Sequence, residues 1–453
     1  MLYNFPMNIK DEFDTITAIS TPLGTSGVGI IRISGDKSFE IALRITNLKT
    51  LTENKICHGW VQDEEKKIDE VIILPFKSPK SYTGEDVIEI QCHGGIHVVK
   101  NILDIVIKNG ARMAQRGEFT KRAFLNKRID LSQAEAVDDL IHSKTSEFAM
   151  QSAKNLSGVL AQKISEIKKD IFDITSKIVA GIDFPEDVAE PDYSYLAESL
   201  KKSISEIDKI LSNAKSSNIL RQGIKVTIAG RPNVGKSSLF NALLNSERAI
   251  VTEIAGTTRD TITESIDLGF PLTLIDTAGI RNDSNIDKVE EIGIEYSKQS
   301  VKDSDLILFM YDASIGYTQD DDSIYQLIEN KKHIIIANKI DITNKNTNQF
   351  KADLEISAFT QKGIDELKNK IKEIVLDFSI EDMEFVTNQR QQTCLIRCKE
   401  ALERALDGAK NNQLQDMIYI DLKTALLSLD EITGEVITDE ILNNIFDHFC
   451  IGK

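Results

Sequence analysis

The run with the plainest chemical purpose is Gly230-Arg231-Pro232-Asn233-Val234-Gly235-Lys236-Ser237. It fits GxxxxGK[ST] and lies between a strand at Lys225–Ala229 and a helix at Ser238–Leu244. Its glycines let backbone N–H groups turn inward around phosphate oxygens, and the helix start adds a favourable dipole. Lys236 can reach the β and γ phosphates and Ser237 can ligate Mg2+. Further on, the buried-type strand Leu272–Ile275 ends in Asp276-Thr277-Ala278-Gly279, where a carboxylate can hold the Mg2+ shell and Gly279 can present its amide to the γ phosphate. Asn338-Lys339-Ile340-Asp341 directly follows the strand His333–Ala337. Asp341 can accept two hydrogen bonds from the N1–H and N2–H2 edge of guanine, a pair that adenine does not offer. Ser357-Ala358, after Leu354-Glu355-Ile356, completes a base pocket. Four such elements in order, each at a strand end, specify GTP rather than ATP.

The elements that must carry these residues alternate strand and helix from Ile224 to about Phe378, an α/β pattern. On either side the periodicity is helical. Ser132 to about Leu220 shows apolar residues at three- and four-residue steps, including Leu160, Ile164, Ile167, Ile171, Ile174 and Ile178. Gly181–Asp187, with a proline and an acidic cluster, interrupts it. Helical patterns return at about Phe385–Ala409, Met417–Leu429 and Thr438–Phe449. Residues 14–130 mix helix with short β-rich runs at 29–33, 71–74 and 87–90. The expectation is a multidomain chain: an α+β domain at 1–130, a helical domain in two halves at 131–222 and 379–453, and an α/β domain at 223–378 inserted between the halves.

The chain has 453 residues and a formal charge of -17, which argues against wrapping a polyanion over most of its surface. The acidity is uneven: residues 1–130 hold 18 basic and 17 acidic side chains, so the remainder carries -18. Within the N-terminal part, Arg112, Arg116, Lys121, Arg122, Lys127 and Arg128 form a basic run through which RNA or an anionic ligand is approached. Five cysteines without CxxC spacing point to a reducing compartment, and no uninterrupted apolar segment of membrane-spanning length is present, so a cytoplasmic protein without a membrane span is expected.

Several further runs give the chain a resemblance over nearly its full length to the tRNA-modification GTPase family MnmE (TrmE). They are Gly27-Val28-Gly29-Ile30-Ile31-Arg32, Tyr82-Thr83-Gly84-Glu85-Asp86, Cys92-His93-Gly94-Gly95, Gly117–Asn126, the segment Ile254–Asp260, and the C-terminal Phe449-Cys450-Ile451-Gly452-Lys453. The resemblance implies a Ras-like G domain, a folate-binding-like N-terminal domain, and a GTPase activated by K+ and by dimerisation of its G domains without a protein arginine finger. It implies a nucleotide set of Asn233, Val234, Gly235, Lys236, Ser237, Ser238, Thr252, Glu253, Ile254, Ala255, Gly256, Thr257, Thr258, Asp276, Thr277, Ala278, Gly279, Asn338, Lys339, Asp341, Ser357 and Ala358. Of these, Asn233, Thr252, Ile254 and Thr257 are implied as K+ ligands, and Ser237 and Thr258 as Mg2+ ligands. Residue-level chemistry agrees with the cation, since Asn233 places a carbonyl oxygen beside the phosphates. Position 280 is Ile rather than Gln, and the family's hydrolytic glutamate maps to Glu290.

For the N-terminal domain the resemblance implies a one-carbon tetrahydrofolate held by Arg32, Glu89, Arg128 and the C-terminal Lys453, with Arg128 standing where the family favours Lys. It also implies a homodimer that forms a heterotetramer with a flavoprotein resembling MnmG (GidA), which carries the FAD and most tRNA contacts. Together they install a carboxymethylaminomethyl-type group at C5 of the wobble uridine of certain tRNAs. The alternative is a regulatory or ribosome-assembly GTPase that switches without modification chemistry; it predicts an added RNA-binding module, whereas residues 379–453 read as helical with 7 basic against 14 acidic residues.

Other reactive residue types read more plainly. Arg259 is a switch salt-bridge partner or a cis arginine finger, Cys450 a lining or buried thiol or a nucleophile, and Cys394 and Cys398 packing residues one helical turn apart. His93 reads as a turn or packing residue, and Asp320-Asp321-Asp322 as a solvated loop.

Overall fold

The computed structural model describes residues 14–189, 191–246, 263–276, 303–342, 351–376 and 385–453. It divides into two compact units, one of Met1–Asp138, Leu160–Lys168 and Lys423–Lys453, the other of Asp139–Val159 and Lys169–Leu422. Residues of both expected helical halves therefore occur in both units. Among the described residues no helix is long and apolar enough to cross a membrane.

The first unit is built on a six-stranded sheet of order β3-β4-β5-β2-β1-β6. Its strands are β1 (Ile16–Ile19), β2 (Ser26–Ser34), β3 (Cys57–Asp63), β4 (Lys66–Phe76), β5 (Val87–Gly94) and β6 (Arg112–Met113). All pairs are antiparallel except β1 with β6. Alternation sets the faces: Ile31, Ile33, Ile88, Ile90 and Cys92 point into a core closed by Ile41 of helix α1 (Ser38–Arg44) and Ile102 and Val106 of helix α2 (Ile96–Lys108). Arg32 and Glu89, a directly opposed pair of β2 and β5, take the other parity and are only partly buried. That one-residue offset is what brings the two charges together outside the core.

Helix α3 (Glu118–Leu125) follows β6 and carries Lys121 and Arg122 of the basic run. The structure corrects the reading of that run as an open basic surface. Arg122 is buried and bonds Glu85 (Oε2 at 3.0 Å) and Glu118 (Oε1 at 3.0 Å), while Arg112 contacts Glu118 at 2.6 Å. Arg116 donates to the Asp447 carbonyl and Lys121 to Asn443. Arg112 and Arg122 are taken up in holding the fold together, whereas Arg116, Lys127 and Arg128 are exposed. His93 is likewise no packing residue: its side chain is mostly exposed and its Nδ1 lies 2.7 Å from Asp69 Oδ1.

The second unit contains a six-stranded sheet of order β12-β11-β10-β7-β9-β8, parallel except for the β8–β9 pair. Its strands are β7 (Ile224–Ala229), β8 (Thr263–Asp267), β9 (Pro271–Asp276), β10 (Leu306–Asp312), β11 (His333–Asn338) and β12 (Leu354–Glu355). Every residue of β10 is buried, as a strand covered on both faces requires. One face packs Val226, Ile228, Leu308, Met310 and Ile336 against Leu239 and Leu243, and the other packs Ile307, Phe309, Tyr311 and Ile335 against Ile328.

The helices α4 (Leu131–Ile141), α5 (Ser146–Leu156), α6 (Val159–Asp183), α7 (Tyr193–Ser212) and α8 (Ala214–Gln222) precede β7. After β7 come α9 (Lys236–Ser246), α10 (Gln319–Tyr325), α11 (Ile364–Val375), α12 (Gln389–Lys410), α13 (Gln415–Thr433) and α14 (Asp439–Phe446). α6 continues through Gly181–Asp183, so the expected break starts only at Phe184, before Pro185. Residues 385–388 are not helical, because the capping box of Asn388 with Gln391 starts α12 there. α12 packs along α7, burying Cys394 and Cys398 as expected; burial pushes the Cys398 thiol up to about 12.

Burial pulls the Glu118 carboxyl up, but hydrogen bonds from Arg112 and the Gln115 amide together with the Arg122 charge outweigh it, and the group sits below its usual value. Its stabilisation is therefore complete above the ordinary carboxylate range and is lost as pH falls through the folded value. Glu118→Gln should cost about 3 kcal/mol near neutrality. Thermal melts against wild type should show that gap closing as the solution is acidified below about pH 4.5.

Candidate nucleotide site and a second cationic site

β7 ends at Ala229 and α9 begins at Lys236, so residues 230–235 turn at the carboxyl end of a central parallel strand, the edge where α/β sheets bind ligands. Asn233 has a left-handed backbone (φ 62°), as does Gly235 (φ 104°). A Cβ at Gly235 would lie 2.3 Å from Asn338 Nδ2. The glycine thus lets the Asn338 side chain come against the phosphate-binding loop.

Asn338 is buried and uses both ends of its amide. Nδ2 donates to the Val234 carbonyl at 2.8 Å, and Oδ1 accepts from the Ala358 N–H at 3.0 Å. One side chain therefore links three loops expected to contact the nucleotide. Lys339, also left-handed (φ 68°), donates to the Asn233 carbonyl at 2.8 Å and pairs with Asp312 at 2.6 Å. Burial pulls the Asp312 carboxyl up, but hydrogen bonds from Lys339 and Ser314 more than offset this and hold it below the usual range. Ser357 is buried; its Oγ accepts from the Thr360 N–H and its own N–H donates to the Lys362 carbonyl. Asp341 is exposed at the same end of the sheet, an acceptor suited to a guanine N1–H and N2–H2 edge.

Lys236 is buried, and its ammonium bonds the carbonyls of Gly230 (2.8 Å) and Arg231 (2.9 Å). Ser237 and Ser238 are exposed at the start of α9, where the dipole of the helix favours anions. Asp276 ends β9 opposite Ile228 of β7, which puts its backbone beside the loop. Thr252, Glu253, Ile254, Ala255, Gly256, Thr257, Thr258, Arg259, Thr277, Ala278, Gly279 and Glu290 lie outside the described residues.

The first unit brings all four folate candidates together. Arg32 donates from Nε to Glu89 Oε1 at 2.9 Å and contacts the same oxygen from Nη2 at 2.8 Å. Arg32 also lies 4.9 Å from the Tyr82 ring centroid, and Arg128 lies 5.1 Å from it. The terminal residues reach this group because Gly452 (φ 96°) sits where a Cβ would be 2.3 Å from the Ile19 carbonyl. The Gly452 carbonyl accepts from Ser20 at 3.3 Å and from Arg32 at 3.5 Å. Lys453 is half-buried; burial and the Arg32 charge push its ammonium below the usual value against the pull of Glu89 and Cys450. Cys450 is exposed, which excludes its reading as a buried thiol.

Sequence reasoning passed over three contributors. Tyr82 stood in a quoted run without a role, yet its ring holds two guanidiniums and its hydroxyl meets Thr120 at 2.8 Å. Asp312 could have been found as the acid ending an all-apolar strand. Asp321 was hidden in an acidic triplet read as solvated loop: residues 320–322 form the first turn of α10, with Asp321 fully buried and bonded to Arg231 at 2.6 Å.

Two family profiles match the chain. The MnmE helical domain covers residues 131–450, and the GTP-binding protein TrmE N-terminus covers 15–128. The chain is 44% identical to the tRNA modification GTPase MnmE of Thermoanaerobacter pseudethanolicus, over 97% of this chain and all of that one. The chain belongs to the MnmE (TrmE) family. Its similarity to the MnmE of Caldicellulosiruptor saccharolyticus is 44% over 98% of this chain and 100% of the relative, and to that of Lactococcus lactis subsp. cremoris 42% over 99% and 100%. Membership in the MnmE family accounts for the multidomain plan, with an α+β N-terminal domain, helices and a P-loop G domain in one chain.

Asp341→Asn replaces an acceptor-only group by one that also donates, matching xanthine better than guanine. The variant should lose at least about 100-fold in GTP affinity and gain affinity for xanthosine triphosphate, measured by fluorescent-nucleotide titration.

Proposed function

We propose that this chain is the K+-stimulated GTPase of a wobble-uridine modification system, working with an FAD-carrying partner that resembles MnmG. The coarser function is that of a GTP-hydrolysing enzyme of tRNA modification, by family membership. The guanine-nucleotide part of the reading is supported by one observation: Asn338 joins the phosphate loop at Val234 to the base loop at Ala358, so the phosphate and base elements are tied to each other.

In that site Lys236 would meet the β and γ phosphates, Ser237 with Thr258 would hold Mg2+, and Asp341 would read guanine. Asn233 fits a monovalent cation site: its side chain is exposed at the loop while its own carbonyl is already occupied by Lys339. Thr252, Ile254 and Thr257 would complete it. A K+ held there would supply positive charge against the negative charge that develops on the phosphates, and Glu290 would orient the attacking water.

The second site suits an anionic ligand with a polar N–H edge, as a one-carbon tetrahydrofolate has. Glu89 receives both Arg32 contacts on Oε1, which leaves Oε2 without a hydrogen bond among the described residues. Arg128 and Lys453 add two cations against that single carboxylate. The folate supplies the carbon of the aminomethyl-type group, and this chain's residues bind and orient it. Homodimerisation and tRNA contact mainly through the flavoprotein complete the reading.

Asn233→Ala should abolish K+ stimulation of hydrolysis while leaving nucleotide affinity within about threefold, and unchanged K+ dependence would reject the cation assignment. Glu290→Ala should lower kcat by at least about 100-fold without weakening GTP binding. Calorimetry of the full chain with a reduced folate should give heat that Glu89→Gln removes. Mass analysis of tRNA nucleosides from cells lacking the protein should show loss of the wobble modification; an intact modification would favour the switch reading instead.

A further inference from the structure

Arg231 occupies the first variable position of the phosphate loop, where GxxxxGK[ST] asks for no particular residue. Its Nε donates to Asp321 Oδ1 at 2.6 Å. Asp321 has no exposed surface, and its Oδ2 accepts from the N–H and hydroxyl of Thr318, both at 3.0 Å, in the capping box that starts α10. Arg231 Nη2 is buried without a hydrogen-bond partner among the described residues.

A fully buried carboxylate and a buried guanidinium nitrogen left unbonded are costly, and an apolar pair of similar volume would serve stability as well or better. What the ion pair supplies beyond stability is position. The backbone carbonyl of Arg231 is one of the two that hold the Lys236 ammonium. At the other end of the loop, the Asn233 carbonyl is held by Lys339, itself fixed to Asp312. Asp312 ends β10 and Asp321 lies in the first turn of the next helix. The loop is therefore fastened at both ends to one stretch of chain.

We propose that Arg231 and Asp321 are a positioning pair for the nucleotide site, setting the loop carbonyls that hold Lys236 and hence the point at which its ammonium meets the phosphates. This rests on the guanine-nucleotide reading of the site. Neither side chain is a catalytic residue; both act through Lys236.

The test uses the full chain and an N-methylanthraniloyl-labelled GTP. In Arg231→Met/Asp321→Asn both charges are removed together, so no lone buried ion remains, and Asn can still cap α10. This variant should melt close to wild type yet bind the labelled nucleotide about tenfold more weakly. Arg231→Lys, which keeps a cation within reach of Asp321, should recover most of that loss. Placed in a Lys236→Ala background, the double substitution should cost nothing further, because its effect runs through the lysine. Wild-type affinity in the folded double variant, or an undiminished tenfold loss in the Lys236→Ala background, would overturn the inference alone. A wild-type chain that bound no guanine nucleotide would overturn the site reading and the inference with it.

Discussion

The amide of Asn338 is the interaction on which the second unit's chemistry depends. Its two hydrogen bonds cost little and fix a great deal, because each goes to a backbone group rather than to a mobile side chain. A backbone carbonyl at Val234 and a backbone N–H at Ala358 cannot move independently of the strands that carry them. Thus β7, β11 and β12, hydrogen-bonded within one sheet, hold the phosphate loop and the base loop at a set separation. Gly235 is the sequence-level condition for this arrangement, since any side chain there would meet the Asn338 amide. Lys339 repeats the device one residue later, joining Asn233 to Asp312.

The first unit reaches a comparable result by different means. Arg32 and Glu89 lie on an antiparallel sheet whose alternation alone puts them outside the apolar core. The loop bearing Tyr82 has no such regular support, and the charged network of Glu85, Glu118 and Arg122 supplies it. Ser34 donates to Glu85 at 2.7 Å and lies 2.8 Å from the Thr83 hydroxyl, so the network is anchored to β2. Two of the arginines that look available for a polyanion in the sequence, Arg112 and Arg122, are consumed in this support.

Local patterns made the G-domain strands and the glycine-rich turn legible, because continuous apolar runs and motif spacing report directly on burial and phosphate geometry. β7, β9 and β11 fall within a residue or so of the places where a strand was expected. Interactions between residues distant in sequence were not legible. Nothing near Asp321 shows that Arg231, ninety positions earlier, would bury it, and nothing near Arg122 shows that Glu85 lies beside it. The aromatic role of Tyr82 was invisible for the same reason. Helix ends were less legible: the helix expected from about Phe385 starts only at Gln389, after the capping box of Asn388 with Gln391, and α6 ran past its glycine because the proline, not the glycine, ends it.

The two units differ in how their parts are spread along the chain, with a consequence for synthesis. The sheet of the second unit is drawn from residues 224–355, so its strands leave the ribosome in one uninterrupted stretch. The first unit draws on Lys423–Lys453 as well as on the N-terminal sheet, and Gly117 packs against Phe446 and Phe449. The contacts of Phe446 and Phe449 with Gly117 must wait through translation of more than half the chain. The nucleotide-binding sheet is thus complete in the emerging chain before the first unit receives its C-terminal residues.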